Sequence, residues 1–224
     1  MGRTARSCVG GLCYHVLNRG NARSEVFHKD DDYRAFLSLM AQACDHAPMR
    51  ILGFTLMPNH FHMVLWPAGN DDMSRWMHWL MTSHVARYHK HYKERGIGHV
   101  WQGRFKPFPI ETGPHLLRVL RYVERNPLRA KLVERAEQWA WSSLAVRLVG
   151  AWPGLLTDWP VTCPRNWLEL INQADPEGEL EGLRNSVNRG RPYGSEMWAA
   201  ETIATLGLES TVRPRGRPRK EGEK

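Results

Sequence analysis

The chain is short of the features that mark the common enzyme classes. It has only four cysteines in 224 residues, Cys8, Cys13, Cys44 and Cys163, and no two form a CxxC pair. Neither a zinc finger nor a disulfide framework is expected; the thiols read as reduced residues of a cytosolic protein. Walker A, GxGxxG, HExxH and GxSxG patterns are missing. That removes the usual nucleotide, zinc-protease and serine-hydrolase readings. No apolar run approaches the ~20 residues that cross a bilayer, and Met1 to Cys13 holds no apolar segment of a signal peptide. A cytoplasmic protein with no membrane partner is the expectation. Acid is also in short supply, with 23 Asp and Glu against 31 Lys and Arg and a net charge of +8. The excess points toward a polyanion.

What is present is unevenly placed. Thr211 to Lys224 carries six basic residues against two glutamates, half of the net charge. Pro214 and Pro218 bracket Gly216, so the segment can be neither a helix nor a central strand. An extended, disordered tail is expected over 211–224. Pro214 to Arg219 resembles an AT-hook, in which an Arg-Gly-Arg core lies in the narrow, electronegative minor groove. Arg215 and Arg217 are its candidate DNA contacts. The plainer alternative is a solvated basic tail attracting phosphate non-specifically.

The rest of the chain alternates strand and helix signals. Cys13–Asn18 reads as a strand followed by a turn at Arg19-Gly20-Asn21. Asp30-Asp31-Asp32 precedes an apolar stripe of Tyr33, Phe36, Leu37, Met40 and Cys44, the pattern of a helix with an acidic first turn. A metal cluster of the three aspartates is the rarer reading. Arg50–Met57 and His60–Trp66 form a strand pair around Pro58-Asn59. A long helix follows from about Asp71 to Lys93, broken by Gly96 and Gly98. Arg104–Glu111 reads as an edge strand, because Pro107 and Pro109 cannot donate to a ladder. Pro114 opens a helix that ends at Asn126-Pro127. This order predicts an α+β fold, a ferredoxin-like split βαβ with a central antiparallel sheet and one trailing helix. After Gly150 a Trp- and Pro-rich linker leads to three short helical patterns, near 167–173, 179–188 and 195–206. The expected division is a catalytic domain over 1–147, a helical extension over 148–210 and the tail.

Two short stretches carry the chemistry. In Met57-Pro58-Asn59-His60-Phe61-His62 the two histidines are i and i+2 on a strand, so they share a face while Phe61 turns to the other. Two imidazoles on one face make two-thirds of a metal site; alone, they are more often unrelated histidines, one of them capping a turn. In Arg121-Tyr122-Val123-Glu124-Arg125-Asn126-Pro127, Tyr122 and Asn126 are four apart and share a helix face. A helical wheel puts Tyr122 away from the apolar cluster of Leu116, Leu120 and Val123, which argues against a core tyrosine.

These stretches, with Trp101-Gln102-Gly103-Arg104-Phe105 between them, resemble the HUH single-tyrosine transposases, and among them the REP-associated tyrosine transposases, over residues 8–147. The resemblance implies Tyr122 as nucleophile, His60 and His62 as ligands of Mg²⁺ or Mn²⁺, and Asn126 as the third, polar ligand. Imidazole favours Mn²⁺ within that choice. It implies a metal-dependent endonuclease and strand transferase that cuts single-stranded DNA beside hairpins through a 5′-phosphotyrosine. The partner is then single-stranded or hairpin DNA, no small-molecule substrate is needed, and the enzyme works as a monomer at the nucleoid. Single strands call for basic grooves with aromatic platforms; Arg19, Arg23, Trp101, Gln102, Arg104 and Lys106 are the candidates. Two alternatives stand beside this reading: a catalytically silent DNA-binding regulator of repeat elements, and a metal nuclease that hydrolyses through water. A covalent protein–DNA adduct distinguishes both from the transposase.

Overall fold

An antiparallel sheet forms the middle layer of the computed structural model, which describes residues 8–93 and 98–213. Arg215 and Arg217 lie outside the described residues. The chain enters through β1 (Cys13–Arg19), crosses by helix α1 (Asp30–His46) to β2 (Arg50–Met57) and turns into β3 (His60–Trp66). Helix α2 (Asp72–Tyr92) then leads to β4 (Lys106–Ile110). The strand order is β2-β3-β1-β4, and every neighbouring pair is antiparallel. Each crossover therefore skips one strand, the split βαβ arrangement the sequence predicts.

Both crossover helices lie on one face. Asp32 closes the first turn of α1 by accepting from the backbone N–H groups of His28 and Lys29 at 2.9 and 3.2 Å. The aspartate run thus starts a helix. Tyr33, Phe36, Leu37 and Met40 of α1 and Met73, Trp76, Met77 and Leu80 of α2 bury against Tyr14, Val16, Phe61 and Met63 of the sheet.

The other face is covered by α3 (Pro114–Glu124) and its short continuation α4 (Asn126–Arg129). Leu116, Val119, Leu120 and Val123 bury against Leu52, Val64 and Phe108. Gly53 sits at an irregularity in the β2–β3 pairing, and a Cβ there would come within 2.8 Å of the Leu120 side chain. Glycine lets α3 lie close to β2. With both faces covered, β1–β3 are buried along most of their length, polar positions included.

The C-terminal segment adds α5 (Ser143–Val149), α6 (Trp167–Asn172), α7 (Glu177–Arg189) and α8 (Glu196–Leu206). Trp167, Ile171 and Leu183 join the apolar cluster beneath α3. Tyr193 donates its N–H to the Pro109 carbonyl and accepts from the Glu111 N–H, both at 2.9 Å. Backbone from the extension thus pairs with the outer edge of β4, which its prolines only partly block.

Candidate active site

The β2–β3 turn places the two histidines. Pro58 accepts from the N–H groups of Val26 and Phe27, and Asn59 accepts from Gly20. The turn is thereby tied to the loop that carries Arg19 and Arg23. His60 and His62 then point to the α3 face, while Phe61 enters the opposite core. The His60 Nδ1 lies 2.6 Å from the Asn59 side-chain oxygen, so Nδ1 carries the proton and Nε2 keeps its lone pair. His62 is 3% exposed, and its Nδ1 meets Nε2 of the fully buried His15 on β1 at 2.8 Å. Burial dominates the electrostatics here. It lowers the His60 pKa to about 4, helped by the nearby cations Arg19 and Arg129. His62 is pushed well below its ordinary value by burial first, then by the neighbouring histidines and the same two arginines. Both imidazoles are neutral at pH 7, the state in which they can donate to a metal.

Helix α3 brings the tyrosine to the histidines. The Tyr122 ring stands edge-on to His62, with centroids 5.6 Å apart. It is only 7% exposed, so the wheel-based argument against a core tyrosine is corrected. The wheel assumed one buried face, whereas α3 is enclosed by the sheet on one side and by the extension on another, where Leu180, Leu183 and Tyr193 border a small cavity beside Tyr122. The helix is interrupted at Arg125 and resumes at Asn126, but Arg125 keeps right-handed helical angles. Asn126 therefore still lies one turn after Tyr122, and its amide donates to the Tyr122 carbonyl at 3.3 Å. Pro127 has no N–H to offer the Val123 carbonyl. The Thr55 hydroxyl supplies that donor at 2.7 Å, from β2 directly beside His62 in register.

Arg129 completes the cluster. Its guanidinium lies 4.1 Å from the centroid of the Tyr122 ring and donates to the Asn126 side-chain oxygen at 2.7 Å. That oxygen keeps a second lone pair. Two neutral imidazoles with free Nε2 positions and one amide oxygen form a donor set that suits a divalent ion of the Mg²⁺ or Mn²⁺ kind. Among the described residues no three His, Cys, Asp or Glu side chains form a metal cluster, so the set depends on the amide.

Four of the sequence-predicted DNA residues gather next to this site. Arg19, Gln102, Arg104 and Lys106 line a cleft of about 320 Å³ together with Leu17, Asn18 and two residues of α7. Asn18 organises the junction: its side chain accepts from the Arg19 N–H and donates to the Gly103 carbonyl, at 2.9 and 3.0 Å. Arg19 stands opposite His60 in the β1–β3 register. Arg23 is exposed in the neighbouring loop. Trp101 is a correction. It is 4% exposed and packs edge-on to Phe61 at 5.3 Å, so its ring faces the α1–α2 core and offers no open platform for a base.

Sequence reasoning missed Glu124 and His15. Glu124 is fully buried and accepts from Ser143, Arg147 and Trp167 at 2.5, 2.6 and 2.9 Å. It anchors the end of α3 two residues after the tyrosine. Its only sequence signal was its place beside Tyr122, because a glutamate between arginines reads as a solvent-facing residue. His15 could have been found from β1 alone, since Cys13, His15 and Leu17 alternate onto the face that His62 also occupies.

Comparison with known proteins identifies the family. The family model described as "Transposase IS200 like" matches residues 8–126. A Haemophilus influenzae protein named for the REP-associated tyrosine transposases is 27% identical over 124 residues, covering 50% of this chain and 69% of that protein. The solved structure of a REP-associated tyrosine transposase bound to a REP hairpin superposes with a TM-score of 0.52 and 20% identity, over 74% of this chain and 96% of that one. The two share a fold.

Proposed function

The chain belongs to the IS200-like transposase family, and from that premise we propose that it cuts and rejoins single-stranded DNA beside REP-like hairpins through a covalent link to Tyr122. The observation that carries this reading is the Tyr122 ring held edge-on to His62 under the Arg129 guanidinium. A tyrosine that only filled space would need neither neighbour.

In the proposed reaction the Tyr122 hydroxyl oxygen attacks the scissile phosphorus in line. The O–P bond to tyrosine forms, the P–O3′ bond breaks, and the departing oxygen leaves as a free 3′-OH. The product is a 5′-phosphotyrosine. Because one phosphodiester is exchanged for another, a 3′-OH can reverse the step without ATP. A phenol is a weak nucleophile while protonated and needs help to lose its proton. A divalent ion held by His60, His62 and Asn126 would polarise the phosphate and stabilise its developing charge. Arg129 and Arg19 add positive charge near the histidines. Thr55 and Glu124 hold the end of α3, so Tyr122 need not be ordered at the moment of reaction.

The cleft of Arg19, Gln102, Arg104 and Lys106 would receive the strand on the 60–62 side, with Arg23 at its rim. The hairpin is suggested by the relative whose solved structure holds one. In this proposal residues 1–147 form the catalytic domain, 148–210 the helical extension, and the tail with Arg215 and Arg217 grips duplex DNA.

The test is a labelled single-stranded hairpin from the flanks of the encoding locus, incubated with Mn²⁺ and run on a denaturing gel. A covalent band from the wild type, removed by chelator and reduced by more than about 1,000-fold in Tyr122→Phe, is expected. Tight binding without any adduct would favour the regulator. Cleavage surviving Tyr122→Phe would favour a water-using nuclease.

A further inference from the structure

The functional reading leaves His15 without a task, although this buried imidazole contacts a proposed metal ligand. We infer that His15 is a positioning residue for that centre: its Nε2 accepts the Nδ1–H of His62 and so fixes His62 in the tautomer whose Nε2 lone pair can bind a metal. This rests on the reading of His62 as a ligand.

The argument is one of proton count. The two ring nitrogens are 2.8 Å apart, and a single hydrogen lies between them. If His15 donated it, His62 would carry its own proton on Nε2 and could not bind a cation there. If His62 donates it, the Nε2 lone pair is free and the ring is held in plane by the bond. The second arrangement puts the other proton of His15 on its Nδ1. That atom is buried and has no hydrogen-bond partner among the described residues.

The surroundings of His15 make an imidazole an expensive choice for packing alone. The ring stacks on Phe108 with centroids 4.8 Å apart and meets the edge of Tyr122 at 6.3 Å. A phenylalanine would fill such an aromatic slot without leaving a polar atom of its own unsatisfied. Because the substitution strands the buried Nδ1–H of His62 in either case, a structural role and a positioning role make different predictions only for metal binding by the folded His15→Phe chain. Replacing a well-packed structural group should destabilise the chain. Replacing a positioning group should weaken metal binding in the folded chain as well, and an acceptor in its place should restore that binding.

The experiment measures Mn²⁺ binding to the full chain without DNA, by the electron paramagnetic resonance signal of free Mn²⁺, alongside urea unfolding. His15→Phe, measured where urea unfolding shows it fully folded, is expected to bind Mn²⁺ about 10- to 100-fold more weakly. His15→Gln, whose amide oxygen takes the place of Nε2 as acceptor, is expected to recover most of the affinity. His62→Ala is the control. If His62→Ala binds as wild type does, the metal reading fails and the inference falls with it. If His62→Ala loses binding while His15→Phe keeps it, the inference alone is overturned. A measurement without substitutions stands beside these. Long-range ¹⁵N–¹H correlation spectra of the Mg²⁺-loaded wild type should show His62 protonated at Nδ1, and a proton on its Nε2 would overturn the inference whatever the variants do.

Discussion

Toward α1 and α2 the sheet presents Tyr14, Val16, Phe61 and Met63; toward α3 it presents His15, Thr55 and His62, and the helix answers with Glu124 and Asn126. Both faces have an apolar core, yet the α3 face also buries a cluster of hydrogen-bonded polar side chains. A shape-filled core tolerates change in proportion to the volume altered. A polar core is satisfied bond by bond, so removing one partner strands another. The difference teaches where chemistry sits in this fold. Both faces supply apolar burial, and the α3 face in addition holds the candidate catalytic side chains in fixed positions.

The largest expected effect on stability comes from the apolar face. Trp76 is fully buried on α2, with its indole N–H directed at the Cys44 sulfur at 3.4 Å. Trp76→Ala should cost roughly 3–5 kcal/mol through lost burial and a cavity, read as a shift in the urea midpoint. Below its melting range the variant should bind Mn²⁺ and form adduct as wild type does. A loss of metal affinity in the folded variant would break the contrast, because it would make the two faces one mechanical unit.

Glu124→Gln is the matching change on the polar face and should cost less, roughly 2–3 kcal/mol. The amide keeps one acceptor but loses the ion pair with Arg147, whose partly exposed side chain can turn to solvent while the buried amide must still meet three donors. Adduct formation, measured where the variant is fully folded, should nonetheless fall more than in Trp76→Ala. The reason is position: Glu124 ties the end of α3 to Ser143 on α5 and Trp167 on α6, two residues beyond Tyr122. Equal activity in the two folded variants would show that α3 needs no such anchor.

The contrast also explains how far the sequence could be read. The strand–helix order, the pairing of β2 with β3 and the shared face of His60 and His62 all follow from periods of two and 3.6, which local sequence carries. The gathering of Arg19 with Gln102, Arg104 and Lys106 follows from β1 lying beside β4. Trp101 could not be placed, because an aromatic among Gln102 and Arg104 looks the same whether its ring turns inward or outward. Tyr122 looked peripheral because a wheel sees one helix and not the extension that closes over it. The hydroxyl of Thr55 taking the carbonyl that Pro127 cannot serve joins positions 68 residues apart, with no local sign in either. Polar burial is long-range by nature, so the α3 face was the harder half to read.

One polar group breaks the pattern of the apolar face, and it gives the smallest effect at neutral pH. His84 on α2 is buried against Phe27, Phe36 and Trp101, and the Trp101 indole N–H points at its Nδ1 at 3.3 Å. Burial lowers its pKa to about 3; Asp32 pulls upward and Arg87 downward by smaller amounts. The unfolded chain takes up a proton on this ring as pH falls below ~6.5, while the folded chain stays neutral until about pH 3. The unfolded state then holds more protons, so stability is complete above ~6.5 and is lost as pH falls toward 3. His84→Gln keeps an acceptor for Trp101 and cannot charge. At pH 7.5 it should change stability by about 1 kcal/mol or less. Between pH 6 and pH 4 its stability should fall less steeply than wild type, by up to about 1.4 kcal/mol per pH unit, the slope of one proton. Urea midpoints at pH 7.5, 6, 5 and 4 measure this, and His15, His60 and His62 contribute equally to both proteins. Parallel curves for the two would mean that His84 is already solvated in the native state, and the apolar face would then be less dry than its packing indicates.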